Sequence, residues 1–138
     1  MVIGMAMILL VGSTFFLFEF TRAGTDENAL QQAAQIGYRV VDEAANMYVY
    51  GEDSFVTVTG SNPTTIQDVY TVDGDTLVFE VVTQNGVVPV IIFSEIPING
   101  TRVDGERAYV NAADMPIRPG NTRYRVTSRG SWVEIEQI

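Results

Sequence analysis

Asp73 and Asp75 flank Gly74, and paired carboxylates of this kind are what a hard cation such as Ca²⁺ would need. The spacing of a calcium loop is absent, and Asp-Gly-Asp between two runs of β-forming residues is foremost a tight-turn signal. Asp104 with Glu106, and Glu134 with Glu136, stand two apart, which on a strand places each pair on one face. Both pairs read as solvated faces. A general acid or base needs a titratable group in a cleft. The chain has neither His nor Cys, so only carboxylates, Tyr and hydroxyls remain. Ser54, Ser94 and Ser128 lack a partner base, which leaves nucleophilic catalysis unsupported. Gly60, Gly74, Gly86 and Gly100 form no phosphate-cradling loop ahead of a helix. No enzymatic activity, metal or cofactor is expected. Trp132, the lone tryptophan, reads as a core residue on the last strand. Asn99-Gly100-Thr101 is an N-glycosylation sequon, which makes Asn99 the candidate glycan acceptor of an exported protein, on an outward-facing loop. Asn62-Pro63-Thr64 is spoiled by its proline.

The 138 residues suit one ordinary domain. The net charge is −9, and all eight cations are Arg. An acidic chain of this kind lacks the basic face that phosphate backbones require, so nucleic acid is excluded as a partner. The acidity fits a solvated, exported surface. Without cysteine, stability outside a cell must come from packing or assembly.

Three segments follow one another. Residues 1–18 carry no charge and mix small residues (Gly4, Ala6, Gly12, Ser13) with bulky Met, Ile, Leu and Phe. Such a run sits in a membrane or packs against copies of itself, and small residues let helices approach closely there. It is just long enough to span a bilayer. It is read as a span rather than a secretory signal, because no basic stretch precedes it, no Ala-x-Ala-like site closes it, and helical patterning continues through its end. Glu19 and Arg22, three apart on one face, mark emergence into water. Residues 21–50 are amphipathic, with Leu30, Ala33, Ala34, Gly37, Val40, Val41, Ala44, Ala45 and Tyr48 recurring at three-to-four spacing. If Gly24 does not break it, the helix is about 75 Å long. Gly51 is a natural helix cap.

From about residue 52 the chain reads as β throughout. Val69–Val72 and Leu77–Val82 flank the Asp-Gly-Asp turn, Asn85-Gly86 leads into Val87–Phe93, and Pro89 implies that this strand begins late or lies at an edge. Residues 104–120 read as an irregular loop around a short strand, and two alternating runs pair across Arg129-Gly130. The expected fold class is α+β: a long N-terminal α-helix (1–50; apolar over 1–20, amphipathic over 21–50), then an all-antiparallel β-sandwich-like domain over 51–138 with six to eight strands.

This architecture resembles a type IV pilin. The run Val41-Asp42-Glu43-Ala44-Ala45-Asn46-Met47-Tyr48 followed by Gly51 resembles the helix end of archaeal class III signal-peptide proteins. Phe55-Val56-Thr57-Val58, Asp75-Thr76-Leu77-Val78-Phe79-Glu80-Val81, Pro97-Ile98-Asn99-Gly100-Thr101 and Trp132-Val133-Glu134-Ile135 fit the same pattern. The family carries a basic leader and a Glu beside an aromatic ahead of the apolar run; here Met1 lies inside that run and Glu19 is too deep to be that glutamate. The resemblance implies export, membrane insertion before assembly, contact with a pilus assembly machinery, and polymerisation into a cell-surface filament with the β domain outside. Ile3, Met7, Leu10, Val11, Thr14, Phe15, Phe18, Leu30, Ala34, Gly37, Val41 and Ala44 are then the expected helix-packing residues of the filament core. The other reading is a single-pass, membrane-anchored surface or stator-like protein that does not polymerise.

Overall fold

The structure, a computed structural model, describes the backbone of residues 2–138 and the side chains of residues 26–138. Helix α1 is assigned to Val2–Tyr50. Among its described side chains, Ala33, Ile36, Val40, Ala44 and Met47 are all buried. Their steps of three and four residues make one stripe along the helix. The helix ends at Gly51, whose φ of 99° suits a residue without Cβ and whose N–H donates to the Met47 carbonyl at 3.0 Å.

Nine strands follow: β1 (Phe55–Asn62), β2 (Ile66–Val72), β3 (Thr76–Thr83), β4 (Gly86–Phe93), β5 (Ile98–Gly100), β6 (Arg102–Asp104), β7 (Arg107–Tyr109), β8 (Gly120–Ser128) and β9 (Val133–Gln137). They form two sheets, a four-stranded one in the order β1-β8-β9-β5 and a five-stranded one in the order β4-β3-β2-β7-β6. The β2–β3 turn places Asp73 and Gly74 at φ of 59° and 73°, the paired positive φ of a tight hairpin. Between the sheets lie Val69, Leu77, Phe79, Val81 and Ile92 from one side and Tyr124, Val126, Val133 and Ile135 from the other.

The sandwich has two open sides, and each is closed differently. On one side the chain crosses between sheets: β5 pairs with β9, and after Thr101 alone β6 pairs with β7. The crossing is tight, because a Cβ on Gly100 would run into the carbonyl oxygens of Ala108 and Tyr109. On the other side, residues 26–50 of the helix wedge between the edge strands β1 and β4. Gly60 of β1 leaves room for Ile36, which a Cβ there would meet at 2.5 Å. Gly37 of the helix leaves room for Ile92 of β4 and Phe79 of β3. Polar bonds hold the wedge in register: Arg39 Nη1 donates to the Thr59 carbonyl at 2.8 Å, Gln32 Nε2 to Ser61 Oγ at 2.9 Å, and the Gln84 N–H to Asp26 Oδ2 at 3.2 Å.

The expected fold class is corrected in two respects. First, the helix on which the described fold is built is the short one of residues 26–50, not a long N-terminal helix that leads into a separate β domain. The periodicity that reads as a stalk is that of a helix filling the mouth of its own sandwich. Burying Ile36, Val40 and Met47 is worth about 5–9 kcal/mol, comparable with the whole stability of a small domain. Second, the sheets are not all antiparallel: β5 runs parallel to β9. The turn through Ser94–Pro97 carries the chain from one sheet to the other, so Ile98 enters its new sheet in the direction of β9. Among the described residues no helix is long and apolar enough to cross a membrane.

Candidate assembly surfaces

The expected packing residues divide by where the structure places them. Ile3, Met7, Leu10, Val11, Thr14, Phe15 and Phe18 lie outside the residues with described side chains. Gly37 and Ala44 are buried against the chain's own β domain. Leu30, Ala34 and Val41 are half-buried, and Leu30 and Val41 pack against the rim of the core. A second stripe then stands out beside the buried one: Ala34, Tyr38, Val41, Ala45 and Tyr48. Its spacing alternates four and three, the spacing by which one helix presents a seam to another. All five remain at least partly accessible, Tyr38 at 58% and Tyr48 at 38%. The composition had shown that the helix is apolar on one broad side. Only the burial separates the stripe that the domain consumes from the stripe that it leaves accessible.

The residues that suggested chemistry are scattered. Asp73 and Asp75 sit in the β2–β3 turn, with Asp75 Oδ1 accepting from Thr76 Oγ1 at 2.9 Å. Asp104 ends β6 and Glu106 lies in the β6–β7 turn, so this pair shares a turn rather than a strand face. Glu134 and Glu136 alternate with buried Val133, Ile135 and Gln137 on the outer face of β9. Ser128 is fully buried and Ser94 Oγ donates to the Ile96 carbonyl. Among the described residues no group of three metal-ligating side chains converges. Trp132 is half-buried in the turn before β9 rather than in the core. Asn99 lies in β5 rather than on a loop tip, half-buried, with its Oδ1 accepting from Thr71 Oγ1 at 3.2 Å.

A polar group that the sequence did not single out is buried in the sandwich. Asn62 Nδ2 donates to the Arg118 carbonyl at 2.8 Å, and Asn62 Oδ1 accepts from Tyr124 Oη at 3.0 Å. Gln137 continues it, accepting from the Arg118 N–H and donating to the Pro116 carbonyl. Together they tie the proline-rich segment before β8 to the sandwich. Burial raises the Tyr124 hydroxyl pKa.

The outer face of the five-stranded sheet carries a ladder of cross-strand pairs. Arg102 lies 4.6 Å from the Tyr109 ring centroid and Arg107 lies 4.3 Å from that of Tyr70. The two tyrosine rings meet edge-on at 5.6 Å. Tyr70 Oη donates to Glu80 Oε1 at 2.7 Å, and Arg107 Nη1 stands 3.6 Å from the same oxygen. Burial, reinforced by the hydrogen bond to Glu80, pushes the Tyr70 hydroxyl up to about 12. Burial also raises Asp68, with Glu80 adding to it and Arg107 and Arg102 opposing it. Tyr70, Tyr109, Arg102, Arg107 and Glu80 thus meet one another across the strands.

The exposed apolar residues gather elsewhere, at Val87, Ile91 and Phe93 on edge strand β4, at Val103, and at Phe55. Pro89 sits within β4 and has no N–H to offer along the free edge. No protein-family model, curated protein or solved structure matches the chain.

Proposed function

We propose that the chain is a structural subunit of an extracellular, type IV pilus-like filament, which polymerises through its apolar N-terminal segment and carries the β domain outside. The observation that carries this reading is the second stripe of the helix, Ala34, Tyr38, Val41, Ala45 and Tyr48, left accessible after the domain has used the first. A helix that served only as the lid of its own sandwich would need one apolar stripe. This one has two, and the accessible one has the three-four spacing of a helix-packing seam. The charge-free run 1–18 supports the same reading from the sequence, since it must be covered by lipid or by other copies.

The test pairs two substitutions on the same helix. Ala34→Trp should leave the thermal melt of the β domain nearly unchanged and stop filament growth when detergent is withdrawn. Ala44→Trp should unfold the domain, because Ala44 has no exposed surface. Negative-stain microscopy of the native cell surface, with peptide mapping of any filament, locates the assembled protein. Purified protein that stays monomeric after detergent removal, from cells whose surface carries no filament containing these peptides, would sink the reading in favour of the non-polymerising anchored protein.

A further inference from the structure

Asparagine followed by glycine is a reactive pair. The glycine nitrogen, with no Cβ beside it, has open access to the carbonyl of the asparagine side chain. A bond forms from the glycine nitrogen to the asparagine Cγ, the Cγ–Nδ2 bond breaks, and the amide leaves as ammonia, taking the proton that the glycine nitrogen gives up. Water then opens the cyclic imide at one carbonyl or the other. The product is aspartate, or isoaspartate in which the main chain runs through the side chain. The chain holds two such pairs, Asn85-Gly86 and Asn99-Gly100. They are alike as dipeptides, and the fold treats them oppositely.

Asn99 and Gly100 lie in β5, paired in register with Glu134 and Ile135 of β9. The Gly100 N–H donates to Thr71 Oγ1 at 3.1 Å, and the same hydroxyl lies 3.2 Å from Asn99 Oδ1. Thr71 is 1% exposed. One buried hydroxyl therefore holds both the attacking nitrogen and the carbonyl it would attack. The Gly100 backbone is also pressed against the carbonyls of Ala108 and Tyr109, which leaves no room to turn toward the side chain. Reaction at Asn99 waits on local opening of β5.

Asn85 stands in the β3–β4 turn, where residues 84–87 are all exposed. The turn is held by the Asn85 N–H donating to Thr83 Oγ1 at 3.2 Å and by Thr83 Oγ1 donating to the Gly86 carbonyl at 2.9 Å. Neither bond uses the Asn85 side-chain amide, which has no hydrogen-bond partner among the described residues. Gly86 has a φ of 103°, and a Cβ on it would meet nothing within 4 Å. It pairs with Thr83 on the last rung of the hairpin, where ladders fray first.

We infer that Asn85 is a site of spontaneous deamidation, that Asn99 is protected from it, and that the change at Asn85 loosens the seating of the helix. The neighbouring Gln84 N–H is the group that donates to Asp26 Oδ2. Asn85 lines one depression with Asp26 and Glu27, and no Arg among the described residues lines it. Deamidation sets a third carboxylate beside those two, and like charges at close range repel. Isoaspartate also adds a methylene to the main chain inside the turn that aims the Gln84 N–H. Both changes weaken the bond that fastens the helix at residue 26 to the β3–β4 hairpin. The inference stands apart from the filament reading, since it needs only the folded subunit and water.

The experiment keeps the full chain in mild detergent, in warm and mildly alkaline buffer, and follows it by peptide mapping with mass spectrometry. The peptide holding Asn85 should take on the mass of an acid in place of an amide and resolve into aspartate and isoaspartate forms. In the folded protein this should run at least about tenfold faster than the same change at Asn99, which reacts only from the opened state. In urea the two sites should convert at similar rates, because each is then a plain Asn-Gly pair. Aged protein, separated by anion exchange through its added charge, should show faster amide hydrogen exchange at Gln84 and over helix residues 26–33 than fresh protein. Asn85→Asp supplies the charge without the methylene and should show part of that increase, while Asn85→Gln should keep the slow exchange of fresh protein through the same incubation. Equal rates at the two sites in the folded protein, or an Asn85 that stays intact while the chain in urea converts, would overturn the assignment of the site. Aged protein whose helix exchanges as slowly as fresh protein would overturn the loosening. Neither result touches filament growth, which is scored separately by microscopy.

Discussion

Asn62 is 1% exposed and uses both ends of its amide, one on the Arg118 carbonyl and one on the Tyr124 hydroxyl. A buried amide oxygen deprived of its donor costs about 1–3 kcal/mol. Tyr124→Phe removes that donor and little volume, so the unfolding free energy obtained by urea titration should fall by that amount. Tyr70 sets an alkaline limit. Its folded pKa is raised from 10.0 to about 12, so its contribution to stability is complete below pH 10 and is lost as pH rises through 12. Tyrosinate absorbance and the thermal midpoint, followed together over that window, should show late ionisation coupled to unfolding. Tyr70→Phe should abolish that part of the alkaline loss attributable to residue 70. None of this was legible beforehand. Asn62 stands in a Ser-Asn-Pro turn signal, and nothing in the residues nearby announces a hydroxyl 62 positions away.

At the scale of the element, the helix shows how far patterning reaches. The apolar positions of residues 21–50 read from the sequence as one side of a helix, and that set leaves out Ile36, Tyr38 and Met47. The domain buries Ala33, Ile36, Val40, Ala44 and Met47 and leaves Ala34, Tyr38, Val41, Ala45 and Tyr48 accessible. Periodicity gives the angle at which residues leave the axis; it does not say which neighbour occupies each angle. Gly37 illustrates the point. As a small residue in a patterned helix it suggests contact with another copy, whereas its place is filled by Ile92 and Phe79 of the same chain. Gly37→Val should overpack that contact and destabilise the domain by about 1–3 kcal/mol, measured by urea titration. The hairpin turns were legible because Asp-Gly and Asn-Gly impose their backbone geometry locally. Strand β5 was not, because three residues that cross between sheets carry no alternation to read.

For the whole molecule, the wedge makes helix and sandwich one cooperative unit. Far-ultraviolet ellipticity at the helix band and Trp132 fluorescence should therefore change at the same urea concentration. A helix signal that disappears well before the fluorescence would show that the lid opens alone. The β class and approximate strand positions followed from composition and turn residues. The closure of the sandwich did not, since it depends on two glycines, Gly37 and Gly60, that meet side chains far from them in the chain.

The wedge also sets how the domain carries load. As the helix is followed back from residue 50, its contacts on β1 move forward, through Thr59 from Arg39 and Ser61 from Gln32. The helix therefore lies antiparallel to the strand that succeeds it. A pull on the N-terminal end runs along β1, so the buried stripe resists in shear, all its side chains strained at once rather than peeled one by one. A tether attached through this helix should yield abruptly and at high force, and let go of the β domain only when the sandwich itself ruptures.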